Sequence, residues 1–141
     1  ILHHNYQDTK DYLLRFDRYT DIEAEQKEAE MGDKFSISQT ALLKVFSDDW
    51  LRRYFAKEGY KDGVRGFYLS LMQAVYQMTV QMKVFDRLDN QKSLEIDNQQ
   101  NLIKDLRHFQ KELNYWIGDF ELKQKKGWGR FWVNLKRKFS L

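Results

Sequence analysis

Cysteine and proline are both absent from this chain. The lack of cysteine excludes disulfides and thiolate metal sites, and it fits a reducing compartment. Average usage would place about seven prolines in a chain of this length. Glycine is scarce too, with seven residues, and three of them (Gly59, Gly63 and Gly66) fall within eight positions. Few helix breakers beside many Leu, Lys, Gln and Glu residues predict an all-α fold of long helices. No run of 18 uncharged apolar residues occurs, which argues against a simple transmembrane helix. The chain opens ILHHNYQD, with neither a Met nor a basic n-region, so it carries no recognisable signal peptide and reads as cut from something larger.

What is present is aromatic and unevenly charged. Aromatic residues make up 16% of the chain and the formal net charge is +3. From Gly118 to Leu141 there are seven basic and two acidic residues, so the basic character belongs to the tail and the preceding part is slightly acidic. A basic tail suggests an anionic surface as its partner.

Asp8 is placed to cap a first helix, on which Tyr12, Phe16 and Tyr19 recur at helical spacing as far as Gly32. The stretch SISQ (Ser36 to Gln39) matches a capping box and predicts a second helix with Leu42, Phe46, Trp50 and Tyr54 on one face. Gly59 suits a left-handed cap ending that helix. Asp62 is read as the cap of the next, with Gly63 in its first turn. Gly66 lies inside that helix, where glycine costs about 1 kcal/mol relative to Ala. Its presence predicts close approach of another backbone, as at a helix crossing, or of a bound surface. The four residues Gly59, Asp62, Gly63 and Gly66 form the predicted structural turn.

The helix from Asp62 to about Asp86 carries no charge between Phe67 and Met82. Gln73, Gln77 and Gln81 form a narrow polar stripe beside a broad apolar face. Such a helix is either central to a bundle or half sunk in a lipid interface. After a polar stretch, Leu102, Leu106, Phe109, Leu113, Trp116 and Phe120 step by 4 and 3, a heptad seam that packs on neighbouring helices or pairs two copies of the chain through residues 102–120. In the tail, Trp128, Phe131, Trp132, Leu135 and Phe139 share one helical face, and Arg130, Lys136, Arg137 and Lys138 crowd the rest. That is the pattern of a basic amphipathic helix lying in the plane of an anionic membrane, although docking on its own domain satisfies the same face. Nucleic acid is not expected as a partner, because the remainder of the chain is acidic. The adjacent His3 and His4 do not by themselves make a metal site, since neighbouring side chains point apart. The acidic cluster of Asp21, Glu23, Glu25, Glu28 and Glu30 reads as a solvated face, and so does the Asp48–Asp49 pair. No phosphate loop, nucleophile elbow or HExxH is present.

One stretch carries a resemblance. YFAKEGYKDGVRGFYLSLMQAVYQMTVQMKVF resembles the C-terminal region of bacterial family 2 glycosyltransferases, the GT-A enzymes that build surface glycans. The similarity lies in Tyr54, Gly59, Tyr60, Asp62, Gly63, Gly66, Phe67, Ala74, Tyr76, Lys83, Phe85 and Asp86. Upstream, His3, Tyr6, Arg18, Tyr19, Thr20, Glu23 and Ala24 also look like the family. The match covers roughly residues 1–86. It departs at Val45 and at Asp48–Asp49, where the family often has proline and basic or apolar residues.

The resemblance implies a three-part organisation. Residues 1–7 would end a missing upstream GT-A domain, 8–86 would form a helical membrane-associating region, and 87–141 a helical extension with the basic aromatic tail. The parent would transfer a sugar from a nucleotide-sugar donor to a lipid-linked or cell-surface glycan acceptor, peripherally on the cytoplasmic face of the membrane. A divalent metal, Mn or Mg, would accompany the nucleotide sugar, and His3 would complete its coordination. The segment alone is expected to be inactive. The alternative is a stand-alone, non-catalytic helical membrane-binding or scaffold module.

Overall fold

The computed structural model describes residues 7–88 and 99–124, so His3 and the whole tail helix lie outside the described residues. Among the described residues the fold is all-α: four helices, no strand and 92% helix. The helices are α1 (Thr9–Met31), α2 (Gln39–Leu51), α3 (Gly63–Arg87) and α4 (Gln99–Gln124).

Helix α1 begins where the sequence predicts. Asp8 is extended, and its carboxylate accepts from the Asp11 backbone N–H at 2.8 Å. Asp11 in turn accepts from the Gln7 N–H and from Arg15. Those two bonds, Arg15's first, hold the Asp11 carboxyl below its usual range. The helix ends at Gly32, whose N–H donates to the Glu28 carbonyl. A short 3-10 turn follows, and Phe35 and Ile37 then enter the core. The N-cap of α2 is Ser38, not Ser36: its hydroxyl accepts from the Ala41 N–H at 3.0 Å. Burial of Ile37 fixes that frame, because the cap must follow the residue that anchors the chain.

Helix α3 is flanked by α1 and α2, and α4 lies on the far side of α2. The core between them is Ala24, Phe35, Ile37, Val80 and Val84, with Leu42, Tyr76, Phe85 and Leu88 packed against it. Val80 and Val84 are fully buried, each worth about 1.5–3 kcal/mol. Small residues line the crossings: Thr20 and Ala24 on α1, Ser70 and Ala74 on α3, all buried. Thr20 keeps its hydroxyl satisfied by donating to the Phe16 carbonyl at 2.9 Å.

The acidic side of α1 is not simply solvated. Lys83 on α3 reaches Asp17 at 2.8 Å and Asp21 at 2.9 Å, and donates to the Asp17 carbonyl. Arg87 sits 3.7 Å from both Asp21 and Glu28. Burial of Tyr76, with the Glu23 carboxylate beside it, pushes the phenol upward. Only part of the acidic cluster, Glu25 and Glu30 among it, faces water.

With neighbours on two flanks, α3 keeps two further faces. At 100° per residue, Val64, Leu71, Val75, Met78 and Met82 share one of them. Val64 is 87% exposed, Met82 is also exposed, and the other three are half-buried. Gln73, Gln77 and Gln81 lie on roughly the opposite side and are half-buried. The helix is therefore central to the bundle and at the same time presents an apolar strip that is exposed at Val64 and Met82 and half-buried between them.

Candidate functional site

The connection between α2 and α3 holds two of the three positive-φ residues among the described residues, Glu58 and Gly63. After Leu51 the helix widens into one π turn, Arg52–Ala56, closed by the Lys57 N–H donating to the Arg52 carbonyl at 2.8 Å. A buried carboxylate holds this turn. Asp49, 5% exposed, pairs with Arg52 and accepts from Arg53 Nε at 2.6 Å. The Asp48–Asp49 pair thus splits: Asp48 faces water and Asp49 turns inward. Sequence spacing could have suggested this, since arginines at i+3 and i+4 can both reach back to one aspartate.

Glu58, not Gly59, takes the left-handed conformation, at φ 58° and ψ 31°. Its carboxylate pairs with Lys61 and accepts from the Tyr60 hydroxyl at 3.3 Å, which offsets the cost of the left-handed backbone. A 3-10 turn, Gly59–Asp62, leads into α3. Asp62 makes no capping hydrogen bond. Gly63 does the steering instead, at φ 59° and ψ −136°, a region closed to residues with a Cβ.

Gly59 and Gly66 are glycines for another reason. A Cβ on Gly66 would stand 1.9 Å from the Gly59 carbonyl oxygen, and one on Gly59 would stand 2.8 Å from the Arg53 carbonyl oxygen. The close approach at Gly66 is thus not a helix crossing: it is the preceding turn folding back on its own helix. Ser70 stays bonded to the same stretch by donating to the Gly66 carbonyl at 2.7 Å.

This fold-back opens a groove of about 370 Å³, lined by Tyr12 of α1, by Arg53, Lys57, Gly59 and Asp62 of the turn, and by Gly66, Leu69, Ser70 and Gln73 of α3. Three of the four predicted turn residues line it. Sequence reasoning missed Arg53 and Lys57, which sit four residues apart and meet α3 only because of the π turn. A second groove, about 610 Å³, runs along α4 past Gln100, Ile103, Lys104, Arg107, His108 and Lys111.

The other side of the turn is an aromatic ladder. Phe46 stacks on Trp50 and Trp50 on Tyr54, while Phe67 stands edge-on to both Trp50 and Tyr54. Helix α4 closes the ladder through the Phe109–Trp50, Trp116–Phe55 and Phe120–Tyr60 contacts. At these positions the heptad seam is occupied within the chain. The Trp50 indole N–H is buried here with no hydrogen-bond acceptor among the described residues.

Among the described residues no three His, Cys, Asp or Glu side chains converge as metal ligands, and no helix is long and apolar enough to cross a membrane. The predicted metal ligand His3 and the predicted membrane residues Trp128, Arg130, Phe131, Trp132, Leu135, Lys136, Arg137, Lys138 and Phe139 lie outside the described residues. No protein-family model, curated protein or solved structure matches the chain.

Proposed function

We propose that this chain is the membrane-facing helical portion of a glycosyltransferase that moves a sugar from a nucleotide-sugar donor to a lipid-linked or surface-glycan acceptor. The observation carrying the membrane half of this reading is the segregation on α3. One side bears Val64, Leu71, Val75, Met78 and Met82, exposed or half-buried, and the glutamine stripe lies opposite. No charge interrupts the helix between Phe67 and Met82; Arg65 stands before that run, and Lys83 and Arg87, paired with α1 carboxylates, stand after it. A charge-free apolar strip flanked by basic residues suits an anionic bilayer surface, with the apolar side chains in the acyl boundary.

The transferase half rests on the resemblance. It is supported by the way the resembling positions form one unit: Gly59 packs on Gly66, and Lys83 ties α3 to α1. A metal held with the nucleotide sugar would belong to the parent's upstream domain. The described residues offer no ligand set for it. The second reading, a non-catalytic membrane module, draws on the same α3 face and needs no active site.

Two measurements test the two halves of this reading: the first tests the membrane contact both readings share, the second separates them. Flotation of the full chain with anionic vesicles is expected to weaken at every salt concentration when Val75 and Met78 are changed to Gln, while Gln77→Ala leaves it unchanged. Unaltered flotation would refute membrane contact through α3. The encoding sequence upstream of Ile1 decides the other half: an Asp-x-Asp after alternating strands and helices supports the transferase, and a nearby start codon supports the module.

A further inference from the structure

We infer that the groove at the glycine turn is a binding site for a phosphorylated sugar. Several polar groups lining it keep bonding capacity, although Arg53 is already ion-paired to Asp49. Asp17, Asp21, Glu28, Asp49, Glu58, Arg52, Lys61, Lys83 and Arg87 are all ion-paired. Among the described residues, the Lys57 ammonium and the Asp62 carboxylate have no ion-pair partner, and the Gln73 amide has no hydrogen bond. All three line the same groove. Arg53 uses only Nε on Asp49, which leaves its terminal nitrogens available. Ser70 Oγ donates to the helix and keeps its lone pairs.

The chemistry of this set is specific. Lys57 and the free edge of Arg53 supply cations suited to a phosphate. Asp62 accepts from vicinal hydroxyls, and Gln73 both donates and accepts. Tyr12 and Leu69 offer an aromatic and an aliphatic wall for the C–H face of a sugar ring. Counting Asp49 against its two arginines, the turn is left with a modest net positive charge, enough to favour an anion without repelling a polyol. The volume of about 370 Å³ is at the lower end for small-molecule sites. It exceeds what a bare phosphate fills. Gly66, Ser70 and Gln73 lie on the side of α3 away from Val64, Leu71 and Val75, so the groove opens opposite the proposed membrane strip.

As a ligand class this stands by itself. As the place where the acceptor's sugar phosphate sits, it rests on the transferase reading. The test is an amide NMR titration of the full chain with glucose 1-phosphate, inorganic phosphate and glucose. The signals of Gly59, Gly63 and Gly66 are expected to shift and saturate with glucose 1-phosphate in the millimolar range, and less with either half alone. Lys57→Ala should weaken binding about 10-fold, the worth of one charge-assisted hydrogen bond. Asp62→Asn should narrow the preference for the sugar phosphate over inorganic phosphate, and Lys104→Ala should change nothing. Absence of shifts at the turn, or equal affinity for inorganic phosphate and glucose 1-phosphate, overturns the assignment. Neither result touches the transferase reading, which falls on the upstream sequence.

Discussion

Gly66 shows how one hydrogen in place of a methyl decides a local structure. With the Gly59 carbonyl oxygen 1.9 Å from where its Cβ would be, the obstacle is backbone and has no rotamer to adopt. Gly66→Ala is therefore expected to destabilise the chain by at least about 2 kcal/mol. Gly63→Ala, with open space around it but φ at 59°, should cost about 1–2 kcal/mol from backbone strain alone. Urea unfolding with unchanged slope would read both. A neutral Gly66→Ala would mean that the turn does not fold back onto α3. The sequence announced the close approach through the cost of a mid-helix glycine. It did not announce the partner, because Gly59 is brought there by a π turn that spacing alone does not predict.

At the scale of elements, the α1–α3 contact is both apolar and ionic. Burial by itself would lower the Lys83 ammonium, but its hydrogen bonds to Asp17 and Asp21 outweigh that and raise it above the ordinary 10.5. A lysine raised on folding contributes fully at neutral pH and loses its contribution as pH climbs past 10.5 through the folded value. Asp17 and Asp21 are largely exposed, so the effect is below about 1 kcal/mol. Wild-type stability is expected to drop more between pH 9 and 11.5 (about one unit either side of a lysine's titration) than that of Lys83→Met. Tyrosine ionisation is common to both, and parallel losses would remove the ion pair from the account. The tail helix over residues 127–141 is a proposal of the same scale. Burial of its aromatic face and attraction of its basic residues are separate terms, the second screened by salt. Trp128→Ala with Trp132→Ala should reduce vesicle co-sedimentation at all salt concentrations. Charge reversal at Lys136, Arg137 and Lys138 should abolish only the preference for anionic lipid. A wild-type tail indifferent to anionic vesicles at low salt would point to docking on the bundle instead.

At the scale of the molecule, the row α1–α3–α2–α4 puts a polar groove on one side of α3 and an apolar strip on the other. That division suits a protein working between water and a lipid surface. Among the described residues no three His, Cys, Asp or Glu side chains converge as metal ligands, and the proposed reading puts the transferase's nucleotide-sugar domain upstream of this chain. The purified 141-residue chain is accordingly expected neither to hydrolyse nor to transfer from any nucleotide sugar, measured by release of the nucleoside diphosphate. Turnover above a buffer blank would require an active site that the proposed reading does not contain.

Composition and periodicity by themselves determined the all-helical class, the start of α1 at Asp8, the long α3 with its charge-free run from Phe67 to Met82, and the shared face of Phe46, Trp50 and Tyr54. These follow from local propensity and from the 3.6-residue repeat, which act within a few residues along the chain. Tertiary structure alone decided the rest. Ser38 replaced Ser36 as a cap once Ile37 was buried. Asp49 turned inward because two arginines followed it into a π turn. Lys83 found its carboxylates 62 and 66 positions away in sequence. Arg53, Lys57, Asp62 and Gln73 became one groove because Gly66 let the Gly59 carbonyl approach its backbone. Contacts between residues distant in sequence leave no period to read, and they exist only after the helices have packed.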